Sequence, residues 1–436
     1  MGFQNMKLNL SKNKIIKVEG PAFVNVLEGR IYVLGRELIP KDSTVVPRSK
    51  VMIFKAVENS ILELKLGEGG SFEELDEILI PSEWKLSAEK ILNFNKPIKI
   101  LVLGDVDCGK STFCTFLANE SFSHGYKTAI IDNDLGQSDI GPPTTIGLGF
   151  VNNYITLLSE IPLQDAFFVG SNSPRNFIDR VIIGARKMLD KALKNNYEII
   201  IVNTSGWITG IGARTLKTSL ILSLNPNVIV AIQRAGELEH ILKPIQNLNM
   251  FNIIRMPPIR SIKARSKSER KLIRESAYMK YLMKSKVRIF SLDKVGLLYS
   301  ILGSGFPLSK KDLKSFESLL GIPLIYGESS PDSLLLVLSS PIEDEDRISL
   351  IDSLKKKTGK ETVILLSRGF ERGVLAGLYN GEGSFIGLGI IKEINFNRRT
   401  IEISTPVRGE IKLIAIGSLK LSGDGKELGK LPPWIL

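Results

Sequence analysis

The sequence predicts an α/β protein in which a central domain with a parallel sheet is flanked by two smaller domains. Its 436 residues suffice for roughly two or three domains, and 43% of them are hydrophobic, which is enough for several cores. In the middle of the chain, short apolar runs rich in β-branched residues alternate with helical patterns, as in a parallel sheet covered by helices. We therefore divide the chain into residues 1–93, 94–300 and 301–436.

The two flanking parts carry a different pattern, in which short β-type runs are separated by turn residues such as Gly20-Pro21 and Pro47. In the N-terminal part the runs are Lys14–Glu19, Phe23–Leu27, Arg30–Leu34 and Val51–Val57, followed by an expected linking helix over Ser87–Asn93. In the C-terminal part a helix near Lys310–Leu320 precedes the runs Ser333–Ser339, Thr362–Leu366, Gly373–Tyr379, Ile386–Asn395 and Thr400–Ser404. The sequence predicts a small β-rich domain at the N-terminus and a small α/β or β-rich domain at the C-terminus.

The central part opens with a strand, a glycine-containing loop and a helix. Ile98–Leu103 is an apolar run typical of a buried strand, Gly104–Thr112 has the pattern G-x-x-x-x-G-K-[ST], and a helical pattern then continues to Gly125. This order is that of a P-loop NTPase domain, where glycines let the backbone N–H groups face the phosphates of a nucleotide. The predicted nucleotide-binding residues are Gly104, Asp105, Val106, Asp107, Cys108, Gly109, Lys110, Ser111 and Thr112.

Two side chains of this loop have the chemistry that a nucleoside triphosphate requires. Lys110 places a positive charge near the β- and γ-phosphates, and the hydroxyl of Ser111 can hold Mg²⁺. The sequence contains no Asn-Lys-x-Asp motif for reading guanine. We therefore expect ATP and Mg²⁺ as cofactors.

Acidic residues follow the next predicted strand, Thr128–Asp132. Asp132 and Asp134 would lie at the carboxyl end of that strand, beside the phosphate loop. One carboxylate could organise the Mg²⁺ and the other could accept a proton from an attacking hydroxyl. The alternative is a surface turn in which these side chains bond to the nearby backbone.

Two further turns are candidates for ligand contact. Trp207 follows the predicted strand Glu198–Asn203 and could stack on a nucleobase, or it could be a core or hinge residue. Gly170–Asn176 brings hydroxyl groups to the start of a helix, where they could touch phosphates or simply cap the helix.

Positive charge is concentrated in one segment. Between Arg255 and Arg288 there are twelve Lys or Arg against two Glu, so this segment carries a net +10 of the chain's +12. Arg265, Arg270 and Arg274 are spaced five and four residues apart, so on a helix Arg270 and Arg274 would share a face and Arg265 would lie to one side. The three could form a lid over the γ-phosphate, while neighbouring Lys and Arg contact a polynucleotide backbone. The alternative is a solvated basic helix face.

These motifs together resemble the polynucleotide 5′-hydroxyl kinases of RNA processing, a family that includes the kinase subunit of the pre-mRNA cleavage machinery, a nucleolar relative and single-protein archaeal versions. The matching segments, which occur in the family's order, are Gly104–Thr112, Asp132–Gln137, Gly170–Asn176, Thr204–Trp207 and the three spaced arginines. Asn172 departs from the family pattern, which has serine or threonine there. The resemblance extends over the whole chain and implies a β domain, a P-loop kinase domain and a small C-terminal domain.

The resemblance implies ATP-dependent phosphorylation of the 5′-hydroxyl end of RNA, with DNA as a second candidate acceptor. The residues implied in catalysis are Lys110, Asp132, Asp134, Arg265 and Arg270. The nucleotide is implied to contact Ser173 in addition to the phosphate loop, and the metal is implied to contact Ser111 and Asp132. The residues implied to bind the substrate are Gln137, Trp207 and Arg274. Either aspartate could be the base. All of these residues are present, so we expect an active enzyme.

Other functions remain as alternatives. One is an ATP-binding scaffold subunit of an RNA-processing complex, and another is a small-molecule kinase or GTPase, against which the basic segment and the missing guanine motif argue. No apolar run approaches membrane-spanning length, and the two cysteines exclude a disulfide scaffold. We expect a cytoplasmic protein, or a nuclear one if the source is eukaryotic, with RNA-processing partner proteins as candidates and the oligomeric state open.

Overall fold

The computed structural model describes residues 4–77, 80–259, 265–342 and 344–433. The chain divides into two compact units, Met1–Phe167 with Ile178–Ile273, and Phe168–Phe177 with Arg274–Leu436. The predicted three-domain division stays a prediction. Arg260 and Lys263 of the basic segment lie outside the described residues.

The first unit begins with a β-sandwich. Its strands are β1 (Gln4–Leu10), β2 (Ile15–Glu19), β3 (Ala22–Glu28), β4 (Ile31–Val33), β5 (Arg36–Leu38), β6 (Ser43–Val46), β7 (Val51–Ala56), β8 (Ser60–Leu66) and β9 (Ser71–Leu75). They form two sheets with the orders β1-β8-β3-β6 and β5-β4-β7-β2-β9. Alternate residues of β7 and β8 are buried, because one face of each sheet contributes to a shared core.

The remainder of the first unit is the nucleotide-binding α/β layer. Its helices are α1 (Ser82–Leu92), α2 (Lys110–Ser123), α3 (Ile178–Lys194), α4 (Ile211–Leu224), α5 (Glu239–Leu242) and the start of α6 (Lys267–Leu282). Its strands are β10 (Ile98–Gly104), β11 (Thr128–Asn133), β12 (Thr145–Val151), β13 (Leu163–Phe168, whose last residue belongs to the second unit), β14 (Ile199–Thr204), β15 (Val228–Ile232) and β16 (Asn252–Met256). The sheet order is β13-β12-β11-β14-β10-β15-β16.

The centre of this sheet is parallel, which confirms the predicted α/β class. Strand β10 lies between β14 and β15 and runs parallel to both, and β11 runs parallel to β14. Strand β12 was not anticipated, and it runs antiparallel to β11. The connection from β11 to β12 contains no helix, whereas a parallel return usually requires a crossover of about a dozen or more residues.

The carboxyl ends of β10, β11 and β14 lie side by side at one edge of the sheet, because these three strands are parallel neighbours. The phosphate-binding motif, the acidic motif and the Thr204–Trp207 motif follow these three ends. In open α/β sheets this edge is where ligands bind. The topology therefore brings together three motifs that are far apart in the sequence.

The second unit is mixed α and β. Its strands are β17 (Lys286–Ser291), β18 (Gly296–Leu298), β19 (Phe306–Pro307), β20 (Leu324–Ser329), β21 (Ser333–Leu338), β22 (Thr362–Ser367), β23 (Val374–Tyr379), β24 (Phe385–Asn395), β25 (Thr400–Thr405), β26 (Leu413–Leu421) and β27 (Glu427–Lys430), with helices α7 (Lys310–Leu320) and α8 (Asp344–Thr358). One sheet has the order β17-β25-β24-β23-β26-β18, with β27 on β26, and the other has the order β19-β20-β21-β22. Helix α8 was not predicted.

A search of the described residues for a helix that could cross a membrane found none of sufficient length and apolarity.

Candidate active site

The phosphate loop joins the end of β10 to the start of α2. Both of its glycines are required, the first by its close contacts and the second by its backbone conformation. A Cβ atom on Gly104 would lie 2.4 Å from Sγ of Cys108 and 2.9 Å from the carbonyl oxygen of Ile232. Gly109 has a φ of 98°, which is a left-handed conformation at the first turn of the helix. The loop motif is therefore formed as the sequence predicts.

The side chains of Lys110 and Ser111 emerge from the first turn of α2. The ammonium of Lys110 is largely buried and donates a hydrogen bond to the carbonyl oxygen of Asp105 at 2.6 Å. The hydroxyl oxygen of Ser111 accepts from Nδ2 of Asn203, at the end of β14, at 3.3 Å. Asn203 thus connects the loop to the neighbouring strand.

Asp132 is fully buried at the end of β11. Its Oδ2 accepts from the backbone N–H groups of Asp139 at 2.6 Å and Ile140 at 3.0 Å, and its Oδ1 accepts from Asn203 at 3.0 Å. Burial, together with the nearby carboxylates of Asp139 and Asp134, raises the pKa of Asp132 to about 7. The Asp132 carboxylate and the Ser111 hydroxyl therefore share one bridging amide, that of Asn203.

Asp134 lies in the turn after β11 rather than in the strand, which ends at Asn133. Its Oδ1 accepts from the N–H groups of Gly136 at 3.1 Å and Gln137 at 3.2 Å. This is the side-chain-to-backbone turn that the sequence left as an alternative. No described residue donates a hydrogen bond to its second oxygen, Oδ2, so the turn fixes the carboxylate and leaves one oxygen available.

The first two arginines of the predicted lid lie against the phosphate loop. Oδ2 of Asp107 accepts from the backbone N–H of Arg265 at 3.0 Å and from Nη2 of Arg270 at 2.9 Å. The Arg265 guanidinium also donates to Oε1 of Gln137 at 2.6 Å and to the carbonyl oxygen of Ser49 at 2.8 Å. Nε of Arg270 is buried and has no hydrogen-bond partner among the described residues.

The Thr204–Trp207 motif approaches the phosphate loop from β14. A Cβ atom on Gly206 would lie 2.6 Å from the backbone nitrogen of Val106, so only glycine permits this approach. The partly exposed Trp207 ring packs over the first turn of α4, since a Cβ atom on Gly212 would lie 2.8 Å from its Cη2 atom. The predicted stacking of Trp207 on a base stays a prediction.

Two predicted ligand-contact positions, Ser173 and Arg274, fall in the second unit, as does Asn172. Glu427 accepts from both Nε and Nη2 of Arg274, at 2.7 and 2.9 Å, and from Nδ2 of Asn172 at 2.9 Å. The N–H of Ser173 donates to Oγ of Ser171 at 3.2 Å. Asn172, the departure from the family pattern, therefore has a partner of its own, and the ligand roles of Ser173 and Arg274 stay predictions.

The sequence analysis missed two polar residues of the first unit. Asn203 lies one residue before the end of a buried, mostly apolar strand, and a polar residue at that position is a signal that could have identified it. Lys217 lies on the buried face of α4, where its ammonium donates to the carbonyl oxygen of Ser205 at 2.6 Å. Burial, followed by the charge of Lys110, lowers the pKa of Lys217 to about 7.

Comparison with known proteins gives a family match that covers the phosphate loop and the helix with the arginines. Residues 104–284 match the family model described as the P-loop of the mRNA cleavage and polyadenylation factor CLP1. A curated polyribonucleotide 5′-hydroxyl-kinase of Pyrococcus abyssi is 32% identical over 354 residues, covering 81% of this chain and 96% of the relative. One of Methanocaldococcus jannaschii is 32% identical over 356 residues, covering 81% and 95%.

A solved structure has the same overall fold. The wild-type Clp1p–Pcf11p complex contains a chain that aligns with a TM-score of 0.61 at 13% identity, covering 96% of this chain and 98% of that one. This likeness concerns the fold alone. The sequence match to the archaeal proteins, which extends over nearly their full length, shows that the chain belongs to the polyribonucleotide 5′-hydroxyl-kinase family.

Proposed function

We propose that this protein is an ATP-dependent kinase that transfers the γ-phosphate to the 5′-hydroxyl end of RNA, with DNA as a second acceptor. The observation that carries the proposal is that Asp107 of the phosphate loop accepts from both the backbone N–H of Arg265 and the guanidinium of Arg270, which brings two arginines to the loop. Phosphoryl transfer requires positive charge around the transferring group, beyond what a nucleotide-binding loop alone supplies. The family relationship supports the same reaction.

We assign the residues Lys110, Arg265 and Arg270 to the stabilisation of charge on the phosphates. Lys110 neutralises charge on the β- and γ-phosphates, and the arginines stabilise the charge of the transition state. The buried, unpartnered Nε of Arg270 supports this role, because an unsatisfied buried donor costs about 1–3 kcal/mol and a phosphate oxygen would satisfy it.

The residues present fit a magnesium ion. Ser111 and Asp132 offer oxygen ligands, which Mg²⁺ prefers, and a cation would favour the charged form of the buried Asp132 carboxylate, whose pKa is raised to about 7. No group of three or more His, Cys, Asp or Glu side chains suited to a metal occurs among the described residues. When bound, Mg²⁺ neutralises charge that develops on the phosphates.

We assign the acceptor side to Asp134, with Gln137 in the same turn and Trp207 after β14 as further substrate contacts. We assign Asp134 as the base for the 5′-hydroxyl, because Asp132 already accepts three hydrogen bonds while Oδ2 of Asp134 accepts none from the described residues. The two N–H groups that bond Oδ1 hold the carboxylate in place. Trp207 would stack on a base near the 5′ end.

The test is transfer of labelled γ-phosphate from ATP to a short single-stranded RNA with a 5′-hydroxyl, compared with the same RNA already 5′-phosphorylated. We expect label only on the hydroxyl RNA, loss of transfer with EDTA and recovery with Mg²⁺. Lys110→Ala should reduce transfer by about 10²- to 10³-fold, since it removes a charge that acts in the transition state. Lys194→Ala, at the exposed end of α3, is the matched control.

The same experiment separates the kinase from the alternative, an ATP-binding scaffold of an RNA-processing complex. A scaffold would bind ATP and transfer no label to either RNA. The solved relative Clp1p is seen with the protein Pcf11p, and protein partners of this chain are part of the alternative. Bound ATP without transfer would therefore overturn the kinase proposal.

A further inference from the structure

One tight turn of the β-sandwich reaches the residues assigned to catalysis. The N–H of Lys50 donates to the carbonyl oxygen of Pro47 at 3.0 Å, closing a turn in which Ser49 has a left-handed φ of 63°. A glycine is usual at that turn position, so serine holds a conformation of higher energy. The turn is packed tightly on Gly20, where a Cβ atom would lie 2.1 Å from the Pro47 carbonyl oxygen.

The turn makes two contacts with the site, both within the first unit. The carbonyl oxygen of Ser49 accepts from Nε of Arg265 at 2.8 Å. The ammonium of Lys50 lies 3.2 Å from Oδ1 and 3.4 Å from Oδ2 of Asp139. The Lys50 and Asp139 side chains are only 23% and 14% exposed, so solvent and salt screen this pair less than a surface pair.

Asp139 in turn holds the acidic motif. Its backbone N–H donates to Oδ2 of Asp132, and the next N–H, from Ile140, donates to the same oxygen. The position of the Asp139 backbone therefore determines two of the three hydrogen bonds that orient the Asp132 carboxylate. A force that fixes the Asp139 side chain also fixes these bonds.

We propose that Lys50 is a positioning residue of the kinase site, which acts through Asp139 on the carboxylate of Asp132. The inference rests on the proposed kinase function. The β-sandwich thereby supports the magnesium and phosphate side of the site, because the Pro47–Lys50 turn holds the acidic loop through Lys50 and holds Arg265 through Ser49. Lys50 is expected to set the rate of transfer rather than the affinity for ATP.

The first test measures the contact without relying on turnover. Native-state hydrogen exchange of peptides covering Asp139 and Ile140 is expected to accelerate in Lys50→Met and not in Lys17→Met. Lys17 is the matched control because its side chain is also 23% exposed and pairs with Glu73 in the same sandwich. Unchanged exchange in Lys50→Met would overturn the inference, even if the protein proved to lack kinase activity.

The second test is a double-mutant cycle of Lys50→Met and Asp139→Asn, with kcat and the two KM values measured for ATP and 5′-hydroxyl RNA. We expect Lys50→Met to lower kcat by about tenfold with little change in the KM for ATP, and to have little further effect in the Asp139→Asn background. An equal loss in both backgrounds, or a loss confined to the KM for RNA, would mean that Lys50 contacts RNA directly and would overturn the inference. Lys50→Arg should restore part of the rate.

Discussion

At the residue scale, Asp107 is the side chain that connects nucleotide binding to the arginines. Its own φ is 56°, and its Oδ2 accepts from the backbone N–H of Arg265 and from the guanidinium of Arg270. A carboxylate in a phosphate loop repels the phosphates themselves, so its benefit has to come from the Arg270 guanidinium and the Arg265 backbone that it holds there. The Arg270 guanidinium makes fewer hydrogen bonds than that of Arg265, since among the described residues Asp107 alone accepts from it.

Arg270→Ala is expected to lower kcat by about 10²-fold while changing the dissociation constant for ATP by much less, because its charge matters most in the transition state. Arg270→Lys should retain part of the rate, since it keeps the charge and loses the planar guanidinium. Steady-state kinetics and calorimetric titration with ATP measure the two quantities. Equal losses in rate and affinity would assign Arg270 to ground-state binding.

The residues of the site differ in how far the sequence could predict them. Lys110 and Ser111 belong to a local motif, in which nine consecutive residues specify both the backbone and the chemistry. Asn203 and Lys50 make their contacts with residues far away in the sequence, so no local sequence pattern predicts these contacts. Their roles follow only from the strand order and from the packing of the sandwich turn.

At the element scale, the fit between the phosphate loop and the turn after β14 depends on one glycine. Gly206 faces the backbone of Val106, and a Cβ atom would lie 2.6 Å from its nitrogen and 2.7 Å from its Cα. Backbone atoms of a glycine-containing loop cannot yield as a flexible side chain can. The two segments therefore keep their spacing only while position 206 is glycine.

Gly206→Ala is expected to weaken ATP binding by about 5- to 150-fold, because overpacking a tight contact typically costs about 1–3 kcal/mol and here the loop must shift. Gly409→Ala is the matched control, since no atom lies within 4 Å of its added Cβ. Isothermal titration calorimetry with ATP checks both variants. If Gly206→Ala bound ATP normally, the loop would be more adaptable than this packing indicates.

The elements themselves were predictable where the apolar pattern was regular. Helix α7 (Lys310–Leu320) occurs at the predicted bounds, and strand β10 (Ile98–Gly104) begins at the predicted residue and extends one residue beyond the predicted end. Strand β12 was missed although it is almost wholly buried, because Gly147 and Gly149 interrupt its apolar residues and glycine is more typical of turns. Its antiparallel direction follows from the short connection after β11, which is a property of the topology.

At the scale of the whole molecule, the stability of the fold is linked to a buried charge. Lys217 is fully buried in the nucleotide-binding layer, and burial lowers its pKa from 10.5 to about 7. The unfolded chain therefore binds a proton at this side chain between about pH 7 and pH 10.5, where the folded chain releases it. Because the unfolded state holds more protons in this window, the free energy of unfolding rises with pH there.

The difference in unfolding free energy between the wild type and Lys217→Met isolates this effect, because the titration of other groups cancels in the subtraction. We expect the wild type to gain stability relative to the variant as the pH rises from 7 to 10, with little change below pH 6, where Lys217 is protonated in both states. Lys217→Met also removes the donor to the Ser205 carbonyl oxygen, which adds an offset that does not depend on pH. Urea unfolding followed by circular dichroism at each pH measures the difference. A difference that stayed constant across this range would mean that Lys217 keeps its proton in the folded state, held by the Ser205 carbonyl strongly enough to offset its burial.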